Sequence, residues 1–274
     1  MKKFSVLCFV LLSSLMFSSL AQGQNLQEEP QTPQWLKFEI GTEVTNAYFY
    51  RGINQEDNGF VAQPYLNTNA TVTEKLSVDL NFWNSVHSAE VYNSDSSVDA
   101  WYETRFSIFA NYQLTTDLKG RVGYLIANSP SDSFETIQEF SAGLYYTDPF
   151  NLNPHVLIAT ETQSARDGGS TGTYAEIGIE PKVELYSDKE IAFNLSFPVA
   201  VGFSLDDYYG SESNSSFGYL DVGSELRIPL KFIETGDWTL LAGVHVLLLG
   251  EDANNYNNND SVEVIGTVGL AVAF

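Results

Sequence analysis

Residues 261–274 read Ser-Val-Glu-Val-Ile-Gly-Thr-Val-Gly-Leu-Ala-Val-Ala-Phe. Taken in steps of two, Val262, Val264, Gly266, Val268, Leu270, Val272 and Phe274 share one face. Ser261, Glu263, Ile265, Thr267, Gly269, Ala271 and Ala273 share the other, because successive strand side chains point to opposite sides. One face is apolar and the other small or polar. A strand this apolar would invite aggregation if it lay at an open edge in water. Lipid outside, and a first strand to pair with, remove that problem. The stretch reads as the closing strand of a transmembrane β-barrel, with Phe274 at an interface.

Working outward, eleven more alternating stretches precede it. They fall at roughly 35–50, 60–72, 76–86, 98–112, 119–129, 135–146, 153–164, 173–185, 190–204, 217–230 and 238–249. Several meet the ~9–11 residues that a tilted strand needs to cross a bilayer. The connections at 73–75, 113–118, 147–152, 186–189 and 231–237 are short. Those at 51–59, 87–97, 165–172, 205–216 and 250–260 are longer, with 130–134 the exception on that side. Short turns at one end and long loops at the other is the outer-membrane pattern. The expected fold is an all-β, up-and-down antiparallel barrel of about twelve strands over 35–274.

Charge sharpens the reading. The apolar phase holds Leu36, Phe38 and Ile40 in the first stretch, continuing through Tyr48 and Tyr50. It holds Leu80 and Phe82 in the third, and Tyr102, Phe106 and Ile108 in the fourth. None of its positions is Asp, Glu, Lys or Arg. A mid-membrane Arg or Lys would cost about 2–4 kcal/mol there, so a lipid-facing surface explains the exclusion. Aromatics gather at stretch ends, where girdles are expected. Tyr112, Tyr146, Phe232, Trp238 and Phe274 mark one end. Tyr48, Tyr50, Phe60, Phe203, Tyr208, Tyr209 and Phe217 mark the other. Pro198 falls in the middle of its stretch and predicts a bulge or a broken ladder. Pro64, Pro181 and Pro229 are expected near strand ends.

The opposite phase carries the ionisable groups. Glu43, Asp79, Glu103 and Arg105 come from the first four stretches, and Glu176 and Glu180 from the eighth. Asp221, Glu225, Arg227 and Glu263 come from the last three. These ten are the candidate pore-lining residues, joined by Trp83, Trp101, Tyr145 and Tyr219. No soluble core tolerates so many charges, whereas a wet lumen does. Acidic side chains there would favour cations or small hydrophilic solutes. The competing reading is a lumen closed by its own ion pairs, with Arg105, Arg121 and Arg227 set among the glutamates.

The N-terminus begins Met-Lys-Lys, and an apolar run follows over 4–20. Ser19-Leu20-Ala21 then fits a cleavage site. Residues 1–21 are expected to be a secretory signal peptide and 22–34 a polar leader. The one cysteine, Cys8, lies inside the signal, so the exported chain has no disulfide to lean on. No other segment is long and apolar enough for a transmembrane helix, which leaves barrel strands untouched. Cleavage would leave 11 basic against 35 acidic residues, a balance that repels nucleic acid. Expected partners are outer-membrane lipid, small hydrophilic solutes or cations, and the periplasmic chaperones and barrel-assembly machinery that meet the C-terminal strand.

No catalytic centre, metal site or cofactor is expected. His87, His155 and His245 are scattered. His87 would share a face with Ser85 only in regular strand geometry, and none of the three forms a convincing nucleophile–base pair on sequence grounds. The Asn- and Asp-rich loop 250–260 lacks the spaced acids of a calcium loop.

Thr45-Asn46-Ala47-Tyr48-Phe49-Tyr50-Arg51-Gly52-Ile53-Asn54, followed by Gln63, resembles the opening of the TorF-type porin family. In that family a first strand ends in an aromatic-x-x-Arg-Gly segment, and a polar loop and a Gln-bearing second strand follow. Here the proline follows Gln63 instead of preceding it. The resemblance covers some twenty residues. It implies an outer-membrane location and a channel, without naming a solute. From the residues alone, Arg51-Gly52 is a strand-to-loop turn.

Overall fold

The structure is a computed structural model, and it describes residues 35–88, 100–164, 171–187, 192–210 and 216–274. The expected signal peptide and leader lie outside the described residues, as do parts of three long loops and the turn at 188–191.

The wall begins with β1 (Leu36–Thr45). Two short strands, β2 (Tyr48–Tyr50) and β3 (Ile53–Glu56), then form a separate hairpin. Six wall strands follow: β4 (Val61–Thr71), β5 (Leu76–His87), β6 (Trp101–Gln113), β7 (Leu118–Asn128), β8 (Ile137–Tyr146) and β9 (His155–Gln163). The eighth wall member is split into β10 (Thr173–Ile179) and β11 (Lys182–Ser187). The ninth is split into β12 (Ala192–Ser196) and β13 (Val199–Asp206). The wall ends with β14 (Phe217–Pro229), β15 (Asp237–Leu249) and β16 (Val262–Ala273), with a helical turn α1 (Glu251–Asn254) between the last two.

Every pairing is antiparallel, and β16 pairs with β1 through Glu39↔Ala273 to Thr45↔Thr267, closing a twelve-membered barrel. Closure removes the edges, so every wall backbone group can find a partner without water. The alternation sets which face meets what. Ile40, Val44, Phe106, Val122, Phe140, Ile158, Val244 and Val268 are all large, apolar and exposed on the outside. Glu103, Glu139, Glu161 and Ser107 are buried on the inside. Tyr112, Tyr146, Phe232 and Phe274 are exposed at the end that carries the short turns, as the girdle reading expected.

The prolines punctuate the wall. Pro198 separates β12 from β13, as expected, and its carbonyl accepts from Gly223 N (2.8 Å). Pro181, expected near a strand end, breaks the neighbouring member at the same level, and its carbonyl accepts from Phe197 N (2.9 Å). Neither proline can donate to a ladder, so two adjacent members are interrupted side by side. Pro64 is not at an end. It sits within β4 opposite Thr42, between the residues of β4 that pair with β5.

The first stretch departs most from expectation. β1 stops at Thr45 instead of 50, and the chain turns back into the barrel. Arg51 (φ 53°) and Gly52 (φ 81°) form the two-residue turn of the β2–β3 hairpin. Positive φ at both central residues is the type I′ hairpin turn. Tyr48 and Tyr50, assigned by phase to the lipid face and outer girdle, therefore belong to the hairpin. Tyr48 is buried, as are Tyr208 and Tyr209 from the same expected girdle. A second correction lies at the start of β6. A register shift opposite Ser85/Val86 sets Trp101 across from Val86. Trp101 Nε1 reaches Asn84 Oδ1 on the outer phase, while Tyr102 turns inward and stacks on His87 at 4.4 Å. One extra residue reverses the phase of its neighbours.

Candidate functional site: the lumen and its inserted hairpin

Hairpin 48–56 crosses the loop end of the lumen from one side of the wall to the other. At its first strand, Tyr48 OH donates to Glu103 Oε2 (2.8 Å). Arg105 Nη2 donates to both Tyr48 OH (2.8 Å) and Glu103 Oε1 (2.6 Å). The Arg105 guanidinium also lies 4.1 Å from the Tyr50 ring centre and 5.0 Å from that of Trp83. At the tip, both terminal nitrogens of Arg51 donate to the Glu139 carboxylate, one of them at 2.7 Å. The Tyr174 ring of β10 lies 4.3 Å from the same guanidinium. Tyr209 OH donates to the Arg51 carbonyl (2.9 Å), and the Tyr219 ring of β14 packs where a Gly52 side chain would project. On the return strand, Asn54 donates to Asn257 beyond α1 (2.9 Å), and Tyr102 OH donates to Gln55 (2.7 Å). Burial raises the Tyr208 and Tyr209 phenols above their ordinary range, so both stay neutral beside Arg51.

The hairpin ends on Glu56, which reveals a constellation that sequence reading set aside. Ser85 Oγ and His87 Nε2 are 2.7 Å apart, and His87 Nδ1 is 3.3 Å from Glu56 Oε2. Ser85 and His87 do share a face and do form a close pair, correcting the expectation that no histidine has such a partner. A nucleophile, a base and an orienting acid have this order. Ser85 is fully buried, however, and the Tyr102 ring covers the imidazole. Moving the hairpin aside to admit a substrate would also carry Glu56 away. In this conformation Ser85 and His87 are bonded to each other within β5, and Glu56 of the hairpin packs beside the imidazole.

A second network lines the wall beside the tip. Glu176 accepts from Tyr174 OH (2.6 Å) and Tyr219 OH (2.8 Å), and His155 Nε2 lies 3.1 Å away. The rings fit because glycines face them. A Cβ at Gly202 would meet the Tyr219 ring at 2.3 Å.

Below the hairpin the lumen differs. Glu43, Glu225, Arg227, His245 and Thr267 line a cavity of about 120 Å³. His245 Nδ1 is 3.0 Å from Asp221, and its Nε2 is 3.4 Å from Glu225. Asp79 lies between Asn69, Asn111 (2.8 Å) and Arg121 (3.5 Å) on another part of the wall.

Of the ten candidate residues, the structure brings Glu43, Asp221, Glu225 and Arg227 together around this cavity and His245. Glu103 and Arg105 meet under the hairpin, and Glu176 joins the tyrosine network. Glu263 accepts from Asn257 (2.9 Å) at the loop end. Glu180 lies in the break between β10 and β11, partly exposed, and pairs with Lys182 (3.1 Å). It does not continue the strand on which its lumen phase was counted. Arg51, Glu56, His87 and the tyrosines at 174 and 208 were missed as members of the lumen. Among the described residues, no group of His, Cys, Asp and Glu is arranged to hold a metal ion.

No protein-family model matches the chain, and no curated protein sequence matches it. Among solved structures, the chain is similar to the NanC porin at 13% identity, over 86% of this chain and 98% of that one, with a TM-score of 0.48. It is similar to the KdgM porin at 8% identity, over 87% and 99%, with a TM-score of 0.45. It is also similar to the translocator domain of the autotransporter NalP from Neisseria meningitidis, at 13% identity over 98% of each chain, with a TM-score of 0.43. All three are barrels of different sequence, and the closed register described above stands without them.

Proposed function

We propose that this protein is a porin-type channel of a bacterial outer membrane, passing small hydrophilic solutes by passive diffusion with a preference for cations. The observation that carries this reading is the polar cavity beneath the hairpin, lined by Glu43, Glu225, Arg227 and His245, with Asp221 adding a third carboxylate on the other imidazole nitrogen. A low-dielectric wall around like charges concentrates counter-ions. The resemblance of residues 45–54 to the TorF-type porins, and the signal peptide expected at 1–21, support the same location. The short turns then face the periplasm and the long loops the outside, with β16 as the strand that assembly factors would meet.

Planar-bilayer recording in a potassium chloride gradient tests this. The purified barrel is expected to give discrete steps with a cation-selective reversal potential, weakened in Glu43→Gln/Glu225→Gln. A second reading, a closed barrel, is favoured by the hairpin's many contacts across the lumen. Silence from both the full chain and a hairpin-shortened variant would establish the closed barrel and end the channel reading.

A further inference from the structure

The tip of the hairpin is held as a ligand is held. We propose that Glu139, Tyr174 and Tyr208 form a recognition site for guanidinium-bearing solutes, and that Arg51 is its tethered occupant. The inference deepens the channel reading by naming a solute class, and its first test does not depend on conduction.

Three observations carry it. First, the site is complete without the hairpin. Glu139 comes from β8, Tyr174 from β10 and Tyr208 from the segment after β13. Together they supply a carboxylate that grips both terminal nitrogens and rings whose centres lie 4.3 and 5.5 Å from the guanidinium carbon. Arg51 Nη1 also donates to Tyr208 OH (3.3 Å). Paired parallel hydrogen bonds and facing rings match a planar guanidinium, whereas an ammonium can satisfy only part of that geometry.

Second, the occupant is presented from an unfavourable backbone. Arg51 sits at φ 53°, a left-handed conformation that Gly, Asn and Asp adopt more easily. An Asn-Gly tip would make the turn with less strain, so the turn alone does not call for arginine. Its side chain supplies the reason.

Third, the occupant shares one ring with a second cation. Arg105 lies over the same Tyr50 ring, 4.1 Å from its centre, while Arg51 lies 4.9 Å from it. Tyr50 is the one ring of the cluster that the hairpin itself provides. A solute displacing Arg51 would leave Glu139, Tyr174 and Tyr208 in place.

A tethered ligand competes through its effective concentration, commonly millimolar or above for short links. Millimolar solute can therefore exchange with Arg51, and the hairpin tip is released when it does. On this view the lumen is closed by a mimic of its own solute.

The test uses the full chain folded in detergent, with methylguanidinium as the probe and methylammonium as the control. Heat-modifiable gel mobility and far-ultraviolet circular dichroism confirm the barrel. Titration calorimetry and the barrel's melting temperature report binding. Arg51→Ala empties the site. It is expected to bind methylguanidinium at least about tenfold more tightly than the wild-type barrel does, because the tethered competitor is gone. The probe should restore melting temperature lost in the variant, with methylammonium at least about tenfold weaker. Adding Glu139→Gln should abolish both effects. Should Arg51→Ala fail to fold, Arg51→Met keeps the packed stem without the charge, and competition by methylguanidinium on the wild-type barrel gives an independent reading. A folded, emptied barrel that does not bind methylguanidinium, binds methylammonium equally well, or binds regardless of Glu139 would overturn the proposal. A silent bilayer alongside specific binding would count against the channel and leave this site standing.

Discussion

The two halves of the lumen are built from the same alternation and end differently. At the loop end, Glu103 and Glu139 meet cations brought by β6 and by the hairpin, Arg105 and Arg51, and tyrosines fill the remaining space. Below the hairpin, Glu43, Glu225, Arg227 and His245 line a cavity, and Asp221 holds the imidazole. Nothing in the period-2 pattern distinguishes these fates. The segment between β1 and β4 decides them, because it folds inward and supplies partners to one half only. Charges in a barrel wall therefore do not by themselves make a path. The half that keeps its charges around an open cavity is where selectivity should be sought.

The largest expected effect breaks the matched half. Glu139→Gln leaves Arg51 enclosed without its carboxylate, and removing one partner of a buried pair costs about 3–5 kcal/mol. Release of the hairpin from the lumen sets a ceiling on that loss. The melting temperature should fall, and protease should begin to cut within 48–56. Next comes the contrast between faces, tested at adjacent positions. Val268 is exposed on the outside, and Thr267 lines the cavity. Val268→Arg should destabilise the folded barrel by about 2–4 kcal/mol. Thr267→Arg should cost much less, and it should shift the reversal potential toward anions. Equal losses from the two would contradict the assignment of faces. Smaller still is Ser85→Ala, which removes one hydrogen bond within β5 beneath the hairpin and should cost about 1 kcal/mol. No ester hydrolysis should be present to lose, which an assay of the wild-type barrel with a chromogenic ester checks. The smallest stability change is expected at the cavity. Glu225→Gln should leave melting nearly unchanged while weakening cation preference.

Much of the wall was legible in the sequence, because lipid imposes a rule that sequence displays. Ile40, Val44 and Val268 could be placed outside, and Glu43, Glu225 and His245 inside, from phase alone. The split at Pro198 was legible because proline has no N–H to give. The hairpin was not legible. Tyr48 and Tyr50 keep the phase of Val44, and alternation cannot tell a strand that continues outward from one that doubles back. The signal that existed was Arg51-Gly52, a dipeptide able to make a two-residue turn, read instead as the end of a strand. Tyr102 was misplaced because a single extra residue in β6 flips its direction, and bulges leave little trace in composition. The nearness of Ser85 and His87 could be read from their spacing. Glu56 could not be added, since it reaches them only through the hairpin, and Glu139 lies 88 residues from its partner Arg51.

The central claim is that hairpin 48–56 closes the loop end of an acidic lumen. The register allows it to be removed cleanly, because Thr45 already pairs with Val61, so a short glycine-containing turn can join β1 to β4. Single-channel conductance of that barrel, recorded beside the full chain in a potassium chloride gradient, is the most direct measurement. The account predicts conductance several-fold higher in the shortened barrel with cation selectivity retained. Unchanged conductance, or a current carried mainly by chloride, would contradict it.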